Sequence, residues 1–199
     1  MHGYSTLDAD APNNPDKLVA TTAEMTEFLT SRNPEVEVYL TATWARADQV
    51  YLPDRPWSGQ SLDQMANDIR AGYDLAARAP GVAAVNGVGE AWQKAMDLGI
   101  ADTNPYDGIE LDKVDLWTWD HYHASDYGYY LHALVVFGNV TGLDPRSLGD
   151  NECSGYELGM SRNEVRMLQQ AAYEQLAQEG KVASMPLESS GPQTRCAAE

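Results

Sequence analysis

Basic residues and long apolar runs are scarce in this sequence. Thirteen Lys and Arg stand against thirty Asp and Glu in 199 residues, which gives a formal net charge of −17. A surface of this sign repels nucleic acid and anionic lipid, so we expect neither as a partner. The apolar runs are too short to cross a bilayer, so no membrane span is expected and the protein should be soluble.

Cysteine is also scarce, since the chain has only Cys153 and Cys196. Their positions do not have the spacing of metal ligands, and they either form one disulfide bond in an oxidising compartment or remain two reduced thiols. Residues 1 to 16, MHGYSTLDADAPNNPD, lack the cationic start and apolar core of a signal peptide. A periplasmic or secreted location is therefore expected only if a signal peptide lies upstream of Met1.

Helical and strand patterns alternate along the first half of the chain. Residues 16 to 32 have apolar residues at helical spacing, and VEVYLTATW at 36 to 44 is typical of a buried strand. A second helix is predicted from Ser61, a second strand at 81 to 85 (GVAAV), and a short helix that ends at Gly99. This alternation predicts an α/β fold with a parallel sheet and helices on both faces.

Two more helices are predicted in the second half, beginning at the capping residues Ser125 and Ser161. The chain turns polar near its end, so residues 1 to 180 are predicted to form a single domain and residues 181 to 199 a polar, flexible tail. The first helix is predicted to bury four apolar residues, namely Leu18, Met25, Phe28 and Leu29.

The stretch DHYHASDYG at 120 to 128 places an acid three residues before a histidine. In a loop ahead of a helix, Asp120 can accept a hydrogen bond from one nitrogen of His123 and leave the other nitrogen basic. This is the base-and-orienter half of a nucleophilic triad, and a surface loop with capping residues is the alternative. A metal site is not expected, because one short loop does not supply zinc geometry and no distant Cys or His cluster completes it.

The pattern Asp120-x-x-His123-x-Ser125-x-x-Gly128, followed by an apolar helix, resembles the last sequence block of the SGNH hydrolases, also called the GDSL esterase/lipase family. The resemblance extends upstream through VYLTATWARAD, IRAGYDLAARAPGVAAV and VGEAWQKAM, and covers residues 3 to 142. It implies a three-layer, flavodoxin-like fold and ester hydrolysis by a Ser-His-Asp triad without a cofactor. His123 would be the general base and then the acid, and Asp120 its orienter.

The Gly-Asp-Ser block that carries the nucleophile of this family is absent from the sequence. In HGYSTLD, at residues 2 to 8, either Ser5 is the nucleophile, or Gly3 and Ser5 occupy the oxyanion-hole block, where the family has Gly and Asn. We expect the second arrangement, in which the chain is an N-terminally truncated member whose nucleophile and first strand lie upstream of Met1. The alternatives are a non-catalytic fragment or carbohydrate-binding module that retains the cleft, and then a metal-dependent hydrolase.

Five further residues are candidates for substrate binding. Trp44 and Arg46 follow a predicted strand, where ligands bind in open sheets, although Arg46 could equally form a structural ion pair with the acid two residues further on. Trp117 and Trp119 flank the Asp120 loop and could stack on a sugar, and His121 is expected to line the cleft. The expected partner is a small ester, such as an acylated sugar. The sequence decides neither the identity of the ester nor the oligomeric state.

Overall fold

The structure is a computed structural model that describes residues 1 to 182. The chain divides into two compact units, Met1–Glu90 and the residues from Ala91 onward. None of the helices within this described range is long and apolar enough to cross a membrane. Cys196 and almost all of the predicted polar tail lie outside the described residues.

The predicted three-layer, flavodoxin-like sheet is wrong. The described residues contain one sheet of two parallel strands, β1 (Val38–Ala42) and β2 (Val82–Gly87), and are otherwise mostly helical, as in a small helical domain. The two strands and their parallel pairing agree with the predicted alternation of strands and helices. A helix between two strands allows them to pair in parallel, because parallel neighbours need a long crossover connection. The number of strands does not follow from it, since the chain after β2 forms helices and irregular loops.

The pairing of the two strands places two polar side chains opposite each other in the interior. Leu40 lies opposite Val85, and Thr41 lies opposite Asn86. The buried Asn86 amide donates to the hydroxyl of Thr41 over 3.1 Å, so neither group lacks a partner inside the unit. On the other edge of β1, the backbone N–H of Thr41 donates to the carbonyl of Met1.

Three helices complete the first unit: α1 (Asp16–Arg32), the short α2 (Ala47–Val50) and the crossover helix α3 (Leu62–Ala76). Ser61 caps α3 by accepting a hydrogen bond from the Gln64 N–H, as the sequence predicts. The core of this unit lies between α3 and the strands, and its largest fully buried apolar members are Leu40, Trp57, Met65, Ile69 and Tyr73.

The predicted buried face of α1 is only partly correct. Leu18 is buried, but the other buried residues are Thr22 and Thr26, and Phe28 is 50% exposed. The Gly81 backbone approaches α1 so closely that a Cβ on Gly81 would lie 2.9 Å from the Thr26 methyl group. Only small side chains fit between them. The helix thus packs on its threonines, and the bulkier apolar residues are left at the edge.

The second unit is helical, and α4 (Val88–Asp97) includes the boundary between the units. The unit continues with α5 (Asp126–Thr141), the short α6 (Cys153–Glu157) and α7 (Arg162–Gln178). Helix α5 packs against α7, and α7 begins with the predicted capping box of Ser161 and Glu164. The largest fully buried apolar side chains in this unit are Trp92, Leu116, Trp117, Leu131 and Leu168.

Candidate functional site

A tight turn at residues 118 to 123 carries the acid and the histidine. Trp117 and Ala124 pair in an antiparallel bridge at its base, and the Thr118 N–H donates to the His123 carbonyl over 2.8 Å. The turn is closed at its tip by His121, which has a left-handed backbone with φ of 56°. This conformation is unfavourable for a residue other than glycine, so the surrounding hydrogen bonds must hold the turn in shape.

Asp120 is the centre of the hydrogen bonds in this turn. Its Oδ1 accepts from the Thr118 hydroxyl over 2.7 Å and from the N–H groups of Tyr122 and His123, each over 2.9 Å. Its Oδ2 lies 2.6 Å from Nδ1 of His123. Partial burial raises the pKa of Asp120, but the hydrogen bonds from Thr118, His123 and the backbone outweigh it and hold the pKa well below its usual range.

The ionised carboxylate determines which nitrogen of His123 is free. A carboxylate only accepts hydrogen bonds, so Nδ1 of His123 must donate to Asp120. In the neutral imidazole the proton then resides on Nδ1, and Nε2 keeps its lone pair. The His123 side chain is 57% exposed, so a reactant can approach it. The turn therefore contains an oriented, exposed imidazole whose Nε2 lone pair is free.

The other two residues of the sequence pattern serve the fold. Ser125 donates from its hydroxyl to the Asp115 carbonyl over 2.6 Å and accepts from the Gly128 N–H, so it caps α5 and is not a free nucleophile. A Cβ on Gly128 would collide with the Leu116 carbonyl and the Trp92 ring. These two residues fix the start of α5 directly after the turn.

His121 and the two nearby tryptophans differ greatly in exposure. The His121 ring contacts the Tyr106 ring at 4.3 Å between centroids, and its Nδ1 is buried without a hydrogen-bond partner. Trp117 is 1% exposed and packs edge-on against Trp92, whereas Trp119 is 89% exposed. Of the two tryptophans, only Trp119 exposes its ring to solvent.

The sequence interpretation missed Thr118 and Tyr106 as parts of this site. Thr118 could have been found, since a hydroxyl two residues before an Asp is a common local partner of the carboxylate. Tyr106 had no such signal, because it belongs to an irregular loop and reaches His121 only through the fold. Among residues 1 to 182 no group of three or more His, Cys, Asp or Glu side chains is arranged to hold a metal ion.

The remaining candidates lie in the first unit. The Arg46 guanidinium binds Asp48 through two hydrogen bonds, Nε to Oδ1 at 2.9 Å and Nη2 to Oδ2 at 2.7 Å. Its Nη1 lies 3.5 Å from the Ser5 hydroxyl. Because both charged side chains are largely buried, this is a structural ion pair, and its forked face is already occupied by a carboxylate.

Gly3 and Trp44 are also engaged within the first unit. The Gly3 N–H donates to the Tyr73 hydroxyl over 2.8 Å, and Trp44 is buried. Burial raises the pKa of Tyr73 although the bond from Gly3 opposes this, so the phenol stays neutral. In the conformation observed, the Gly3 N–H is not available to an oxyanion.

A cavity of about 450 Å³ lies beside this N-terminal segment. It is mainly apolar, and Leu7, Leu18, Met25 and Leu40 are among the residues that line it. The one Lys at its wall, Lys17, forms an ion pair with Asp8 over 3.1 Å. The cavity therefore offers an apolar surface and little polar recognition.

The geometry defines the class of structure: a mostly helical chain with a two-stranded parallel sheet and a histidine–carboxylate turn. Neither a protein-family model nor a curated protein matches this chain. It is similar to the crystal structure of a DUF4886 family protein from Bacteroides uniformis ATCC 8492, with a TM-score of 0.66 and 20% identity. The match covers 92% of this chain and 62% of that one, so this chain spans less than two thirds of that protein's length. At this identity the likeness shows a shared fold, and the name of that protein states no activity.

Proposed function

We propose that Asp120 and His123 are the orienter and the base of an acyl-transfer centre that hydrolyses small esters, as in the SGNH hydrolases that this loop resembles. The observation that carries the proposal is the 2.6 Å contact between His123 Nδ1 and Asp120 Oδ2. The low pKa of Asp120 keeps that carboxylate ionised at neutral pH. An exposed imidazole with one lone pair held free is the form that general-base catalysis requires.

The chemistry assigned to the pair is proton transfer to and from a serine. His123 Nε2 takes the hydroxyl proton as the serine oxygen attacks the ester carbonyl, and then gives that proton to the departing alcohol. Water repeats the two steps and releases the acid. Asp120 stays ionised throughout, because its role is to orient the ring and to stabilise the imidazolium that forms.

The serine itself is proposed to come from outside this sequence. Ser125 is committed to capping α5, and Ser5 lies beside the Arg46 guanidinium in the first unit. Treatment with a fluorophosphonate probe followed by peptide mapping tests this assignment. We expect no stoichiometric label on this chain, and stoichiometric labelling of Ser5 would show instead that Ser5 is the nucleophile.

The base can be tested in this chain without the serine. An imidazole can itself attack an activated ester, so we expect slow hydrolysis of p-nitrophenyl acetate that is lost in His123→Ala. His132→Ala, on α5, is the matched control and should retain the rate. Equal rates in the wild-type chain and the His123 variant, with folding intact by circular dichroism, would contradict the proposal.

A non-catalytic binding module is the second candidate function, and the observation that favours it is the 89% exposure of Trp119. Such a module needs an exposed ring but not an oriented imidazole. It therefore predicts that ligand binding survives in His123→Ala and that no ester is hydrolysed. The p-nitrophenyl acetate assay distinguishes the two candidates.

A further inference from the structure

The exposure of Trp119 is the feature of the second unit that folding does not explain. All five tryptophans belong to the described residues, and the other four are between 0% and 8% exposed. A tryptophan has the largest apolar surface of any residue, so exposing it gives up a large favourable contribution to folding. Tryptophan is among the residues that most often anchor binding sites.

The turn also fixes where this ring lies. Trp119 directly precedes Asp120, inside the turn that is closed by the hydrogen bond from Thr118 N–H to the His123 carbonyl. The Asp120 carboxylate accepts four hydrogen bonds within the same turn. The backbone that carries the indole is thus held within the same closed turn as His123, which reduces the entropy lost on binding.

The charge of the surrounding loop indicates what the ring would bind. From Asp102 to Asp126 the sequence contains seven acids and one Lys or Arg, which is Lys113. Lys113 is paired with Glu110 over 2.8 Å. The contact between the rings of Tyr106 and His121 brings the first part of this acidic loop to the turn. The resulting field attracts cations and repels carboxylates and phosphates.

We infer that Trp119 is the specificity-determining residue of the site and that it binds an ammonium group of the substrate. The inference rests on the proposed function, since it places a cationic ester at His123. An indole face attracts a quaternary or primary ammonium through its ring quadrupole, and the acidic loop adds long-range attraction. A neutral sugar would gain the stacking contact but nothing from the charge.

Binding of choline, measured by ligand-detected NMR, tests the inference without any turnover. The neutral isostere 3,3-dimethyl-1-butanol has the same shape without the charge, and glucose represents a neutral sugar. We expect choline to bind more tightly than either, and Trp119→Leu to weaken choline binding about two- to fivefold. Tyr156→Leu, at an exposed tyrosine on α6, is the matched control and should leave the affinity unchanged. Added salt should weaken choline binding, because exposed charges are screened.

Equal binding of choline and its isostere, tighter binding of glucose, or an unchanged affinity in Trp119→Leu would each overturn the inference. Failure of the proposed function has a different signature. If choline binds through Trp119 but His123→Ala changes no ester hydrolysis, the binding site stands and the hydrolase does not. If hydrolysis of p-nitrophenyl acetate requires His123 but choline binds no more tightly than its neutral isostere, the hydrolase stands and the ammonium site does not.

Discussion

Replacing Asp120 with Asn tests the central turn most directly, because it changes the charge and one acceptor while keeping the shape. The amide oxygen can still accept from Thr118 and the two N–H groups at Oδ1. The amide nitrogen would then face Nδ1 of His123, and two donors cannot bond to each other. His123 must either shift its proton to Nε2 or lose the contact.

Both outcomes remove the oriented form of the base. With the proton on Nε2 the lone pair points into the turn, and an equivalent substitution in a serine-protease triad lowers kcat by about 10⁴. We therefore expect Asp120→Asn to lower the part of p-nitrophenyl acetate hydrolysis that depends on His123. We also expect the free energy of unfolding at pH 7 to fall by about 1–2 kcal/mol, because a partly exposed, charge-assisted hydrogen bond is lost.

The stability change should depend on pH in one direction. The pKa of Asp120 in the folded chain lies below its ordinary value, so its contribution is complete above about pH 4 and is lost as the pH falls further towards the lower, folded value. Urea unfolding of the wild-type chain and the variant measures the difference. Asp112→Asn, at an exposed acid outside the turn, is the control and should change stability by less than about 0.5 kcal/mol. An Asp120 variant as stable and as active as this control would refute the proposed role of the carboxylate.

Three further predictions concern Thr118 in the turn, Gly128 in α5 and Ser161 at the start of α7. Thr118→Val should lower the free energy of unfolding by about 1 kcal/mol and reduce hydrolysis that depends on His123, because it removes one donor to Asp120; unchanged urea unfolding would contradict this. Gly128→Ala should lower the free energy of unfolding by about 1–3 kcal/mol in the same assay, since its Cβ would meet the Leu116 carbonyl and the Trp92 ring. A gain in stability, as for alanine in an open helix, would show that the contact is not tight. Ser161→Ala should lower the free energy of unfolding by about 1 kcal/mol through loss of the α7 cap while leaving hydrolysis intact, and a loss of hydrolysis there would mean that the turn depends on α7.

Much of the local structure could be predicted from the sequence. Ser61, Ser125 and Ser161 each cap the helix that the pattern assigns to them, and the two strands pair in parallel as alternation requires. The contact between Asp120 and His123 was also predictable. The caps and the contact between Asp120 and His123 join residues only a few positions apart, so the local sequence pattern predicts them. The parallel pairing of the strands follows from the long connection between them.

The tertiary structure decided the features that depend on distant partners. Trp117 and Trp119 are two residues apart and look equivalent in sequence, yet one pairs in a bridge and packs on Trp92 while the other lies in the turn and is exposed. On the buried face of α1, the small Thr26 packs closely against Gly81. The sheet gains no further strand from the described residues after β2. The sequence by itself determined which residues could act as base and orienter, because Asp120 and His123 are only three residues apart and meet within a single turn. Only the fold decided which aromatic ring is exposed beside them, because burial depends on packing between residues far apart in the chain.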